Sequence, residues 1–400
     1  MALSRAFPIY KEVISFTLNS GIAVSVLPLI KLKEEKDMNG SCILNDFRFK
    51  LAQAIALENA KNKMPEPLAI SPWMAMSLLQ KAIRRGHIQW ALAAAVTLLD
   101  VSPDRLWRRL CVTAYEDIGI ADLDLVAYVS VSLKGKTVRK ELGGEWSVAN
   151  HLIQRMCAAP KCRAADDLMI VAERASQLDQ QRFDMTFMPI AELMKIAAGA
   201  ETIESRAIAL WYAIGTDRCP SDRMRLRKGD PATAFDMLAY KGYPDTVVET
   251  AREAFRKSNE MMPVLLPLLV REWQSSECKI IPDELPQETM IGRVPCWVFD
   301  MHVREGNRAM TLLLKRGGRF AKWHDKHVGS SRGVRVIGSL LFRIESGLVD
   351  RRINWEIGNR VRAQADYCFP GLNPDLAAEG RTILLEDLPQ LNEARADVIL

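Results

Sequence analysis

The chain has 400 residues, 48% of them hydrophobic and 26% charged, with a formal net charge of +5 at neutral pH. An apolar fraction of this size supports a substantial core in one large or two to three ordinary domains and excludes a disordered chain. The mild excess of bases identifies no partner, so the local distribution of charge has to.

Residues 1–70 read as an N-terminal segment, irregular or β-containing, with an apolar run from Gly21 to Ile30. It ends in a helix over Asn45 to Lys63, where Phe47, Leu51, Ala54 and Ile55 recur at helical spacing. The apolar run lacks a basic leader and a cleavage site, and Met261 to Val270 is about half of the roughly 20 residues that span a bilayer. A soluble, cytoplasmic chain with no membrane partner is therefore expected. The eight cysteines (Cys42, Cys111, Cys157, Cys162, Cys219, Cys278, Cys296 and Cys368) contain no Cys-x-x-Cys. They predict reduced core thiols instead of a disulfide framework or a cysteine zinc site, and neither a cofactor nor a metal is expected.

After Pro65, Pro67 and Pro72, residues 71–180 read as one helix after another. Met76, Leu79 and Ile83 form an apolar stripe, Gly86 stops that helix, Trp90 to Leu98 forms the next, and Asp100 to Pro103 turns into a third. Residues 181–274 predict a second helical domain: an alanine-rich helical stretch over Glu192 to Ala213, a basic connector over Thr216 to Pro231, and helices over Ala232 to Leu238 and Thr246 to Lys257. The rhythm fails between Ser275 and Gly292, the best boundary. Residues 290–370 are a basic, histidine-bearing segment, and 371–400 read as an acidic tail. The expected fold is mainly α, a multi-helix array or bundle.

Three markers within residues 71–174 share an order: Ser77-Leu-Leu-Gln-Lys81-Ala-Ile-Arg84-Arg85-Gly86-His87; Arg108-Arg109-Leu110 with Glu116-Asp117-Ile118-Gly119; and Ala158-Ala159-Pro160-Lys161. In this order they resemble the helical, clamp-loader-like C-terminal region of RarA/MgsA-type AAA+ ATPases, the family that includes the Werner-helicase-interacting ATPase. The resemblance covers about a quarter of the chain. It implies a helical bundle that oligomerises and a setting at DNA gaps and stalled forks. No Gly-x-x-x-x-Gly-Lys-Ser/Thr loop is present, so motor activity is not implied. Arg84 and Arg85 at a helix end suit phosphate contact, or else face the negative end of the helix dipole. Glu116 and Asp117 read as capping or ion-pairing groups, because adjacent helical residues diverge by about 100°.

The stretch from Trp297 to Arg343 gathers His302, His324 and His327 with Arg304, Arg308, Lys315, Arg316, Arg319, Lys322 and Lys326, and interleaves Phe320 and Trp323. Cations around an aromatic face suit a nucleic acid with an unstacked base; a solvated basic face with Trp323 in the core is the plainer alternative. Within it, Asp300 and His302 share a face if the backbone is extended, whereas a helix would align Asp300 with Arg304 and Arg308 as a cap or ion pair. In the first case Asp300 is the carboxylate and His302 the assisting proton donor or phosphate contact of a DNA N-glycosylase, which flips out and hydrolytically excises a base. DNA contact is then assigned to Arg84, Arg85, Arg304, Arg308, Lys315, Arg316, Arg319, Lys322, Trp323 and Lys326. The expected function is thus a DNA-binding, base-excising hydrolase of DNA repair or antiviral defence, with homo-oligomerisation open. The alternatives are a non-enzymatic, oligomerising DNA-binding adaptor and a metal-dependent nuclease using Asp245, Glu277 and Lys279. A hydrolytic zinc site from Cys296, His302, His324 and His327 is a further option.

Overall fold

The computed structural model describes residues 40–58, 63–274, 276–329 and 333–399, so most of the expected N-terminal segment lies outside the described residues. Among those described, the chain forms twenty α-helices and four strands of two or three residues. The mainly α multi-helix array expected from periodicity is therefore the observed architecture.

Local sequence explains the boundaries. α1 covers Gly40–Glu58 of the described residues and so includes most of the helix expected over Asn45 to Lys63. α2 (Pro72–Arg84) begins where Ser71 Oγ accepts from the Met74 amide at 3.2 Å and Pro72 occupies the first turn. It ends at Gly86, whose φ of +69° only glycine adopts without strain, and a Cβ there would lie 2.7 Å from the Asp350 carboxylate. α3 (Ile88–Val101) and α4 (Pro103–Thr113) follow, and the α4 axis continues into a π-helical turn, Ala114–Ile118, which carries Glu116 and Asp117. Gly119, at φ +51°, closes that turn against the Cys162 carbonyl.

Next come α5 (Leu123–Ser132), α6 (Lys136–Glu141), α7 (Glu145–Ala158), α8 (Ala164–Arg174) and α9 (Asp179–Met185). The alanine-rich stretch is two helices, α10 (Ile190–Ala197) and α11 (Ile203–Ile214), because Gly199 interrupts it and Thr202 recaps the chain through the Ser205 amide. α12 (Pro231–Tyr240), α13 (Asp245–Ser258) and α14 (Met261–Trp273) complete the larger core. No described helix is long and apolar enough to cross a membrane.

The strands occur after α14. β1 (Lys279–Ile281) pairs antiparallel with β4 (Arg352–Asn354), and β2 (Met290–Ile291) with β3 (Val294–Pro295). α15 (Arg304–Lys315), α16 (Arg319–His327) and α17 (Gly333–Leu341) build a second, smaller core. The chain then returns through β4 and α18 (Glu356–Cys368) to pack on α8 in the larger core. Residues 371–400 are a tail only by charge. Their apolar residues recur at helical spacing and form α19 (Pro374–Glu386) and α20 (Leu388–Ile399), with Leu384, Leu391 and Ala394 fully buried against α15–α17.

Candidate functional site: a cavity beside a buried ion network

One face of α2 is the floor of the site. Trp73, Ser77 and Lys81 form one i, i+4, i+8 row and Met76, Gln80 and Arg84 the other, and all six line a cavity of about 330 Å³. Arg109, Glu116, Asp166, Glu173, Arg174 and His302 complete its polar lining; Met262, Phe342 and Phe369 add apolar wall. The volume is at the lower end for small-molecule sites, roughly 300–1,000 Å³.

Behind the polar wall, the first two sequence markers meet, joined by Arg163 just beyond the third. Arg84 Nε donates to Asp117 at 2.8 Å and its Nη2 to Glu116 at 2.5 Å. Arg163, two residues after Lys161, donates to Asp117, to Glu116 at 3.1 Å and to Asp166 at 2.5 Å. Gln80 donates to Glu116 at 2.7 Å and Asp117 at 3.1 Å, and accepts from Arg109 at 2.7 Å. Lys161 itself is clamped by backbone bonds to Arg351 and Ile353 and by its ammonium to Asp350. Glu116 and Asp117, although adjacent, both serve Arg84 and Arg163, because the two guanidinium groups approach the π-helical turn together.

Glu116, Asp117 and Asp166 share the guanidinium groups of Arg84 and Arg163, and Arg109 adds a third positive charge through Gln80. Burial opposes ionisation of Glu116, but Arg84 and Arg163, with Gln80 and Arg109, outweigh it and hold that carboxyl down at about 2. Burial pushes Asp166 up to about 7, with Arg163 opposing and Glu116 and Asp167 adding repulsion. One cavity thus holds an ionised carboxylate and a carboxyl that carries a proton up to near-neutral pH, both on Arg163 Nη2.

The structure corrects several assignments. Asp300 is 0% exposed and does not line the cavity; it forms an ion pair with Lys81 at 2.9 Å. The backbone at 299–303 is neither extended nor helical but a turn, in which Asp300 accepts from the His302 amide at 3.0 Å. Burial disfavours charge on both members of the pair, yet Lys81 draws Asp300 down to about 2, while Lys81 is lowered to about 8 despite Asp300. The pair is therefore ionised at neutral pH. Lys81 also donates to Ser77 Oγ, and Ser77 gives its own proton to the Val298 carbonyl, so Ser77 is no activated nucleophile. His302 does face the cavity; burial pushes its pKa down, and Asp300 only partly restores it.

Arg84 and Arg85 are not surface phosphate contacts. Arg84 is spent in the network and Arg85 is buried, stacked on Trp297 and bonded to the Glu345 carbonyl. Trp323 is 5% exposed inside the second core, so it offers no stacking face. Arg316 is tied to Asp397 and Arg319 to Glu386, which α20 and α19 bring alongside. Arg304, Arg308, Lys315, Lys322 and Lys326 remain exposed. Cys296 and His324 are buried in separate cores, and no group of three His, Cys, Asp or Glu among the described residues is placed to hold a metal. The zinc and metal-nuclease alternatives thus gain no ligand set.

Sequence reading missed Gln80, Arg109, Glu116 and Asp166 as cavity residues. The available signal was the set of polar residues Ser77, Gln80, Lys81 and Arg84 on α2, on a face turned away from Leu79. No protein-family model, curated protein or solved structure matches the chain, so the clamp-loader-like resemblance of residues 71–174 rests on its motifs alone.

Proposed function

We propose that the protein is a DNA-associated, oligomerising adaptor of genome maintenance or antiviral defence, in which the motif residues hold the bundle together and do not react. The observation that carries this reading is the fate of the basic segment. Arg308, Lys315, Lys322 and Lys326 are exposed and have no ion-pair partner among the described residues, while their neighbours Arg316 and Arg319 are neutralised by α20 and α19. A rigid helix pair presenting unpaired cations suits phosphate contact without base readout. Replacing Lys315, Lys322 and Lys326 together with Ala is expected to weaken duplex binding and flatten its salt dependence; an unaltered salt slope rejects the reading.

A second reading, base excision, is favoured by the carboxyl pair in the cavity, with Glu116 and Asp166 in the roles first given to Asp300 and His302. Asp166 would protonate the departing base while Glu116 stabilises the positive charge developing on the sugar. Alkali-labile sites formed by the wild-type protein in DNA carrying normal or modified bases, and lost in Glu116→Gln with DNA binding retained, would establish it. Absence of such sites with wild type across the panel removes it.

A further inference from the structure

An aromatic pair framed by cations does occur on the surface, but not where the sequence placed it. Phe183 on α9 and Phe187 just beyond it are 46% and 68% exposed, with ring centroids 5.7 Å apart at 74°. The Arg225 guanidinium lies 4.6 Å from the Phe183 centroid and 5.9 Å from that of Phe187. Leu226 beside it is also exposed. Two phenyl rings left in water next to a stacked guanidinium form a platform.

The basic connector is held against these rings. Thr216 Oγ1 donates to the Arg225 carbonyl at 2.8 Å and accepts from the Arg227 amide at 2.6 Å, and Arg227 Nη1 donates to the Thr186 carbonyl at 2.7 Å. Arg218, Arg223, Arg225 and Lys228 are exposed around it. The acids nearby are engaged: Asp184 accepts from Gln180, Asp179 pairs with Arg182, Asp217 accepts from the Gly229 amide and lies 3.9 Å from the Arg218 guanidinium, and Asp222 faces Arg174, which leaves Arg223 and Lys228 without an ion-pair partner among the described residues. At its other end the connector is joined to the cavity rim, where Ser221 Oγ donates to Glu173 at 2.9 Å.

We infer that Phe183, Phe187 and Arg225 form a stacking site for unstacked bases of a single-stranded nucleic acid, whose phosphates are met by Arg218, Arg223 and Lys228. Exposed rings supply faces that every base can use, and the surrounding cations match a phosphate backbone better than they would an apolar peptide. The inference rests on the nucleic-acid reading for the class of ligand, but it uses none of the residues of the α15–α16 face.

Anisotropy titrations with labelled oligothymidylate, oligouridylate and a duplex of equal length test it. Phe183→Ala with Phe187→Ala is expected to lower single-strand affinity about tenfold, the scale of one lost base stack, with duplex affinity unchanged. Phe187→Trp restores it, and Arg225→Ala loses part of it. The two single strands distinguish a DNA from an RNA ligand. Unchanged oligothymidylate and oligouridylate binding in the double alanine variant overturns the inference and leaves an apolar peptide as the occupant; an equal fall in single-strand and duplex affinity overturns it also. Wild-type binding to duplex alone sinks the platform and spares the α15–α16 reading. Wild-type binding to single strands alone, still lost with the rings, does the reverse. All three variants replace exposed side chains only, so far-UV circular dichroism should match wild type.

Discussion

Arg84 and Asp117, 33 residues apart in sequence, meet at 2.8 Å inside the bundle, and neither reaches bulk solvent. Arg84 of the first family-like marker and the acid pair of the second are thus two halves of one internal contact. Removing Arg84 leaves Glu116 and Asp117 short of a counter-charge in a region that excludes water. Arg84→Ala is expected to cost about 3–5 kcal/mol in urea-induced unfolding. Arg84→Lys should recover little, because one ammonium cannot replace the separate Nε and Nη2 contacts.

Asp166 sets a pH dependence with a definite sign. Its folded pKa of about 7 lies above the 3.8 of an ordinary aspartate, so between those pH values the folded state binds the extra proton. Its contribution to stability therefore declines as pH rises from about 4 to about 7 and is fully lost above that. Asp166→Asn, a mimic of the protonated form, should remove this decline. Thermal melts across that window check it: parallel profiles for wild type and variant would show that Asp166 is ionised throughout.

Acid should act in the opposite direction through Glu116 and Asp300, both held at about 2. Each depressed carboxyl contributes stability that is present above its unfolded pKa and lost as pH falls through the folded value, on the order of 2–3 kcal/mol apiece. A steep loss of stability between about pH 4 and pH 2 is expected, and Glu116→Gln should make the loss shallower.

The Lys81–Asp300 pair is best tested as a cycle. Asp300→Leu alone leaves a buried ammonium and Lys81→Met alone leaves a buried carboxylate, so each should destabilise by about 3–5 kcal/mol. The double variant is expected to be milder than the sum, since both desolvation penalties vanish together. Additive single effects would mean that the two groups are not coupled.

Arg395 on α20 donates to both oxygens of Glu345, at 2.9 and 2.6 Å, and to the Phe299 carbonyl, which ties the C-terminal helix to the turn preceding Asp300. Arg395→Met should release α20, seen as faster amide exchange over residues 388–399, while α2 and α8 keep their protection.

Helix positions were legible because their signals are local. α13 and α3 match their periodic stretches within about three residues, and Gly86 ends α2 where its sequence says it must. The site was not legible to the same degree. Asp300 looked reactive because four apolar residues run into it, but Lys81 neutralises it from more than two hundred positions away. Trp323 looked like a stacking surface among bases, yet those bases lie on the outer face of α16 while its ring is turned into the core. Phe183, Phe187 and Arg225 went unnoticed because the chain separates them by about forty residues.

Periodicity, caps and glycine positions alone specify a mainly α chain and place the ends of α2, α3 and α13, since hydrogen bonding and apolar spacing act within a few residues. Which charges are cancelled and which remain for a partner is decided only when distant helices pack. Burial removes the solvent that would otherwise screen each group, and its counter-charge arrives from another part of the chain: Lys81 for Asp300, Asp117 for Arg84, Glu345 for Arg395.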